Sequence, residues 1–456
     1  NDNALEAFAD KLPNEQEMSD KIDKILLDDF GWIPQDKNMM NSSGSDIERS
    51  YEDRRTDKCS VCDNAMFDLH ENKLIDDGHS LVEARFLSIK QFMHNGHTHT
   101  RDDETQRSIC YSCHMIETMV AQGQISISEP LQDDQVQPAS LDLRLGHTAY
   151  RVRASFLAGQ AAKVAERLRE FEMHRIDISK GAVLEKGCVY LVPLMEGLNL
   201  PPDIEAVANA KSSTGRLDLL TRTITDHGKE FDRIVKGYSG PLYAEICPRS
   251  FSVLVRPGMR LNQIRFRLGH AVLSDDALTE LHAQTPLVSG EAVIQDGLGF
   301  SVDLSASRNG LVGYRAKPHT GVIDLGKIGA YDPADFWEEI RTEDQQIILD
   351  PGAFYILVSQ EAVTIPPEYA AEMAPYLAMV GEFRVHYAGF FDPGFGHAAA
   401  GGVGSRGVLE VRCHEAPFVL EHGQIVGRLV YERMAARPDT LYGREIASNY
   451  QGQGLK

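Results

Sequence analysis

KGCVYLVPLMEGLNLPPDIEA, residues 186–206, and PGAFYILVSQEAVTIPPEYAA, residues 351–371, align without a gap. Gly187 falls on Gly352, Tyr190 on Tyr355, Glu196 on Glu361, and Pro201-Pro202 on Pro366-Pro367. The same offset of 165 residues carries Glu245 onto Glu410, Gly258 onto Gly423 and Phe266 onto Tyr431. Around these positions, β-branched and aromatic runs alternate with Gly/Pro turns, as in CVYLVPL, PLYAEI, AFYILVS and GVLEVRC. Short strands at regular spacing, repeated once, predict a mainly β fold with two tandem barrel-like domains. SFLAGQAAKVAERLREFEM (155–173) is the one strong helical interruption, and MIETMVAQGQI (115–125) predicts a helix closed by Gly123 with Ile116, Met119 and Val120 on one face.

The copies differ where chemistry would lie. KSSTGR (211–216) stands opposite YLAMVG (376–381), which has neither the hydroxyls nor the positive charges. VHYAGFFDPGFG (385–396) stands opposite LTRTITDHGKEF (220–231). Each copy keeps what the other has dropped, the pattern expected of two domains sharing one site. Alone, KSSTGR would more often be a polar turn or helix cap. A lone glutamate in a strand would more often face solvent, but Glu245 and Glu410 occupy the same place in both copies.

The chain has 456 residues and a formal net charge of −21. That charge excludes a broad nucleic-acid or anionic-membrane surface, which needs a basic face. A few arginines, lysines and backbone N–H groups can still hold a triphosphate, with Mg²⁺ accompanying it. No apolar run approaches the ~20 residues of a membrane span, and the acidic, polar start does not read as a secretory leader. The cytoplasm is the expected location.

The predicted organisation is an acidic segment, partly helix or linker, over 1–57, a Cys/His-rich domain over 58–114, and β domains over 115–285 and 286–456. CSVC (59–62) and CYSC (110–113) could present Cys59, Cys62, Cys110 and Cys113 as a tetrahedral structural Zn²⁺ site in a small α/zinc-knuckle domain. Their separation is longer than usual, and free or redox-active thiols are the alternative. Such a domain would serve folding or a protein partner.

QPASLDLRLG (137–146), AKSSTGRLDLLTR (210–222), GPLYAEI (240–246), HYAGFFDPGFG (386–396), GVLEVR (407–412) and YGREIASNYQGQG (442–454) carry a resemblance over roughly residues 114–456. Here the chain resembles the dCTP deaminase branch of the trimeric dUTPase-like fold, most of all its long, internally duplicated form. The resemblance implies distorted β-barrels whose active sites form where two barrels meet, and self-association. It implies a triphosphate turn at Lys211, Ser212, Ser213 and Arg216, with Lys211 standing where arginine is more usual. It matches both Glu410 and Glu245 to the catalytic glutamate by position. Tyr450 and Gln453 match a tail that closes over the nucleotide.

Deamination needs water at C4, a proton taken from it, and protons delivered to N3 and the leaving amine. One carboxylate with its pKa raised by burial can relay these protons. Ser212 or Ser213 could orient the water. Asp392 either binds the sugar hydroxyl or caps its turn, and His386 either touches substrate or sits at a barrel seam. If the KSSTGR turn and a hairpin expected at HYAGFFDPGF (386–395) come from different barrels, Glu410 is the favoured catalytic residue. A zinc-dependent cytidine deaminase would need H-x-E followed by P-C-x-x-C, and none of the sixteen histidines has Glu two residues on. The expected function is conversion of dCTP to dUTP and ammonia, with dUTP and dTTP as further nucleotide ligands. The alternatives are a dUTP pyrophosphatase or bifunctional enzyme giving dUMP, with Asp392 or Asp226 activating water, and a non-catalytic nucleotide-binding module.

Overall fold

The structure is a computed structural model that describes residues 109–305, 310–375, 383–386, 389–438 and 441–443. Cys59, Cys62, Tyr450 and Gln453 lie outside the described residues, as does the segment 1–57. The chain divides between Asp103 and Glu104, and everything below concerns the second unit.

That unit is mainly β. In its first half, one sheet runs in the order Arg233–Ile234, Ile204–Ala210, Arg260–Leu268, Ser140–Arg144, Val136–Gln137. The other runs Leu219–Thr225, Ser239–Pro248, Val189–Asn199, Thr148–Val152, Glu172–Asp177. In the second half the corresponding orders are Leu298–Ser301, Ile425–Arg433, Tyr369–Pro375, Phe390–Phe391, and Phe383–His386, Ser405–Cys413, Phe354–Val363, Leu311–Ala316, Trp337–Arg341.

Register follows the 165-residue offset. Tyr190 opposes Ile246 and Leu191 opposes Glu245; Tyr355 opposes Val411 and Ile356 opposes Glu410. Ala208 opposes Ile264, and Met373 opposes Leu429. Gly187 and Gly352 enter the equivalent strands at φ 76° and 73°, a conformation that costs glycine no Cβ clash. Just beyond them, the Tyr190 hydroxyl accepts from the Glu185 N–H at 3.0 Å and the Tyr355 hydroxyl from the Asp350 N–H at 2.7 Å. Alternation decides which face each strand buries. Ile264, Phe266, Leu429 and Tyr431 are fully buried, and each such side chain contributes roughly 1.5–3 kcal/mol relative to exposure.

Two sequence expectations change. The helix expected across 155–173 is confined to Val164–Phe171, because Gly159 turns the chain at φ 73° and Glu172 starts a strand. Ile109–Cys110 pairs with Arg267 and Leu268, so the residues up to 114 expected in the Cys/His-rich domain begin the first sheet here. The helix near 115–125 spans Cys113–Ala121, burying Ile116 and Met119, with Gly123 at φ 71° behind it.

The halves meet through charge. Arg267 pairs with Glu432, the residue at its own offset position, and reaches Glu372 at 2.8 Å. Arg412 meets Asp218 at 2.5 Å, and the Ser250 hydroxyl donates to the same carboxylate at 2.6 Å. Among the described residues, no helix is long and apolar enough to cross a membrane.

Candidate active site

KSSTGR folds as one helical turn, Ser212–Gly215, at the end of the Ile204–Ala210 strand. Two bonds to the Leu261 carbonyl pin it: Lys211 N–H at 2.8 Å and the buried Thr214 hydroxyl at 3.0 Å. Residues four apart share a face of a helical turn. Ser212 and Arg216 therefore point the same way, into a cavity of about 60 Å³ that is partly open to solvent. Ser213 is exposed and does not line it. The Lys211 ammonium is ion-paired with the buried carboxylate of Asp142 and also stays outside.

The opposite wall comes from the second half. On the strand Ser405–Cys413, Leu409 and Val411 enter the core, and the alternation turns Arg406, Val408 and Glu410 toward the cavity. Phe390, Phe391, Asp392 and Phe395 supply the hairpin wall and Tyr442 adds to it. Gly396 ends the turn that follows Phe390–Phe391 at φ 66°, where a Cβ would lie 2.2 Å from the Val363 carbonyl oxygen. Phe391 packs edge-on against Phe395 with centroids 5.1 Å apart, and Phe395 lies 5.8 Å from Tyr442. A flat, apolar group faced by two arginines and two carboxylates is what this lining accommodates.

Glu410 is 2% exposed, and its Oε1 has no hydrogen-bond partner among the described residues. Burial pushes its carboxyl up to about 8, against the opposing pull of the Arg216 guanidinium. A group balanced between its two protonation states near neutrality can take and return a proton. Asp392 is also buried and its pKa is raised by desolvation, opposed by Arg265. Its carboxylate accepts from the Arg265 Nη2 at 3.1 Å.

Glu245, the offset partner of Glu410, does not line the cavity. It accepts from Arg222 at 2.5 and 3.2 Å, and that guanidinium stacks 3.6 Å over Phe231. Asp226 accepts from the Val164 N–H at 2.8 Å, at the start of the short helix. The backbone of His386 lies opposite Glu410 on the neighbouring strand. Cys110 is fully buried and its thiol donates to Glu432 at 3.2 Å; Cys113 is buried in the first turn of its helix. Sequence reasoning missed Arg406, Phe391, Phe395 and Tyr442. Arg406 was findable, since it precedes Glu410 by four residues in a strand and therefore shares its face.

Gly407 makes this wall sensitive to packing. A Cβ there would lie 2.3 Å from the Phe300 ring, which is fully buried and packs against Phe391 at 6.4 Å. Gly407→Ala is expected to cost about 1–3 kcal/mol by overpacking and to lower kcat/KM by pushing Phe300 toward Phe391. Thermal unfolding and steady-state kinetics check this; an unchanged melting midpoint and rate would refute it.

Comparison with known proteins bears on the reaction. Residues 108–270 match the family model for the 2'-deoxycytidine 5'-triphosphate deaminase N-terminal domain, and residues 274–456 that for its C-terminal domain. A protein of Coprothermobacter proteolyticus named dCTP deaminase, dUMP-forming, is 30% identical over 145 residues, 31% of this chain and 73% of that protein. A dCTP deaminase of Ignicoccus hospitalis is 28% identical over 162 residues, 35% of this chain and 84% of the relative. The crystal structure of the 2'-deoxycytidine 5'-triphosphate deaminase from Agrobacterium tumefaciens is 56% identical, with a TM-score of 0.70. The match covers 72% of this chain and all of that one.

Proposed function

The chain belongs to the 2'-deoxycytidine 5'-triphosphate deaminase family, and from that premise we propose that Glu410, Ser212 and Arg216 form its reactive centre. The reaction is hydrolysis of dCTP to dUTP and ammonia. The observation that carries the residue assignment is the buried, unpartnered Glu410 oxygen, in one cavity with Ser212 and Arg216 from the other half.

The Ser212 hydroxyl orients a water beside the Glu410 carboxylate. Glu410 takes the water's proton as its oxygen bonds to C4 of the cytosine, and passes it to N3. The second water proton, relayed through the same carboxylate, leaves with the amine as the C4–N bond breaks. Arg216 keeps part of the ionised form of Glu410 available at neutral pH. The aromatic hairpin wall receives the nucleoside, and Mg²⁺ arrives on the substrate's triphosphate. Glu245 is the poorer candidate because Arg222 already neutralises it.

A second reading, deamination followed by pyrophosphate release to give dUMP, rests on the similarity to the Coprothermobacter proteolyticus protein, which is named as dUMP-forming. The recurrence of strand register at one offset supports descent of the two halves from a duplicated ancestor. Zinc on Cys59, Cys62, Cys110 and Cys113 is a separate proposal, and the surroundings of Cys110 weigh against it. Burial and Glu432 disfavour the thiolate that a zinc ligand must be. Self-association through the barrels, as the resemblance implies, also belongs among the proposals.

Incubation with dCTP and Mg²⁺, followed by chromatography of the nucleotides, tests the function. dUTP with ammonia supports it, dUMP with pyrophosphate supports the second reading, and unchanged dCTP overturns both.

A further inference from the structure

The cavity holds a second guanidinium that neither the motifs nor the reaction above uses. Arg406, Val408 and Glu410 lie on one face of one strand. Exposure rises along that face, from 2% at Glu410 through half-buried Val408 to 42% for the Arg406 side chain. The carboxylate is therefore the deep end and Arg406 the mouth. Four strand residues separate them by about 13 Å. The charge of Arg216 acts on Glu410, which puts that cation at the deep end too. A nucleotide whose cytosine reaches Glu410 must enter base first, with its phosphates trailing toward the mouth.

We propose that Arg406 is a specificity-determining residue, holding the polyphosphate end of the nucleotide at the mouth of the cavity after release from Asp303. This rests on the reading of Glu410 as the catalytic end. Arg406 has one ion-pair partner among the described residues, Oδ2 of Asp303. Asp303 does not depend on it, because its Oδ1 accepts from the Ser305 N–H at 2.9 Å and the Ser305 hydroxyl at 2.5 Å. On a chain of net charge −21, two arginines converging on one cavity make a local attractor for an anion. A planar guanidinium suits phosphate oxygens, and the tether to Asp303 holds it in reach without burying it.

The test compares dCTP with dCMP for the wild type, Arg406→Gln, Arg406→Lys and Asp303→Asn. Removing a charge-assisted phosphate contact is expected to raise the KM for dCTP about 10- to 100-fold. kcat should stay within about threefold, and the KM for dCMP should be unchanged. Arg406→Lys should recover part of the loss, and Asp303→Asn should lower the KM for dCTP by freeing the guanidinium. Equal shifts for dCTP and dCMP, or none, overturn the proposal. Calorimetry with inorganic tripolyphosphate separates this claim from the assigned reaction. Weaker binding by Arg406→Gln than by the wild type supports it even where dCTP is not turned over, and equal binding overturns it.

Discussion

Glu410→Gln is expected to lower kcat for dCTP by about 10²- to 10⁴-fold, the range over which a positioned acid–base group contributes. Nucleotide binding should persist, since the amide keeps the shape of the side chain and leaves the aromatic wall and both arginines in place. Glu245→Gln should change kcat by no more than a few-fold, because that carboxylate is spent on Arg222. A comparable loss in both variants would overturn the choice between them. Titration supplies an independent check. Below a pKa of about 8 the ionised fraction falls about tenfold per pH unit, so kcat/KM should climb with pH and level off above that value. Stability should run the other way. The folded protein retains on Glu410 a proton that the unfolded chain releases near 4.5, so this group makes folding less favourable as pH rises from about 4.5 to 8. Glu410→Gln removes that cost and should raise the melting midpoint at pH 8 by at least about 2 °C.

Arg265→Met should be the most destabilising single change at the junction of the halves. Arg265 is fully buried on the strand Arg260–Leu268. It donates to the Ala139 carbonyl at 3.2 Å, the Ala371 carbonyl at 3.1 Å, Glu432 at 3.1 Å and Asp392 at 3.1 Å, and lies 4.1 Å over the Phe390 ring. One side chain from the first half thus grips three parts of the second, including the hairpin that lines the cavity. Methionine replaces its bulk but strands the carboxylate of Asp392 and leaves Glu432 to Arg267 and the Cys110 thiol. Breaking a buried pair in this way costs about 3–5 kcal/mol, measurable by chemical denaturation. Adding Asp392→Asn should recover part of the loss, and the two changes should be non-additive in a double-mutant cycle. Simple additivity would mean that the guanidinium acts by packing alone.

The recurrence of sequence at one offset was readable because strands and turns obey local rules. A Gly before a strand and a Pro-Pro after it mark the same geometry wherever they recur, and Gly187 and Gly352 indeed share a positive φ. Ser212 and Arg216 stood out from the asymmetry between the copies, whereas the glutamate occurs in both, and the pairing of Glu245 with Arg222 sets it apart from Glu410. What was not readable depends on register. Nothing beside Lys211 in the sequence announced its ion pair with Asp142, 69 residues away. Arg222 faces Glu245 only because their antiparallel strands place them directly opposite each other. Nothing local to Cys110 revealed its strand partner at Arg267 or its hydrogen bond to Glu432.

The pairing of Arg267 with Glu432 carries a consequence for how such a protein can change. These residues stand at matching positions of the two halves, so a half meeting its own twin at this surface would set cation against cation or anion against anion. At this surface each half is therefore a better electrostatic partner for the other than for itself.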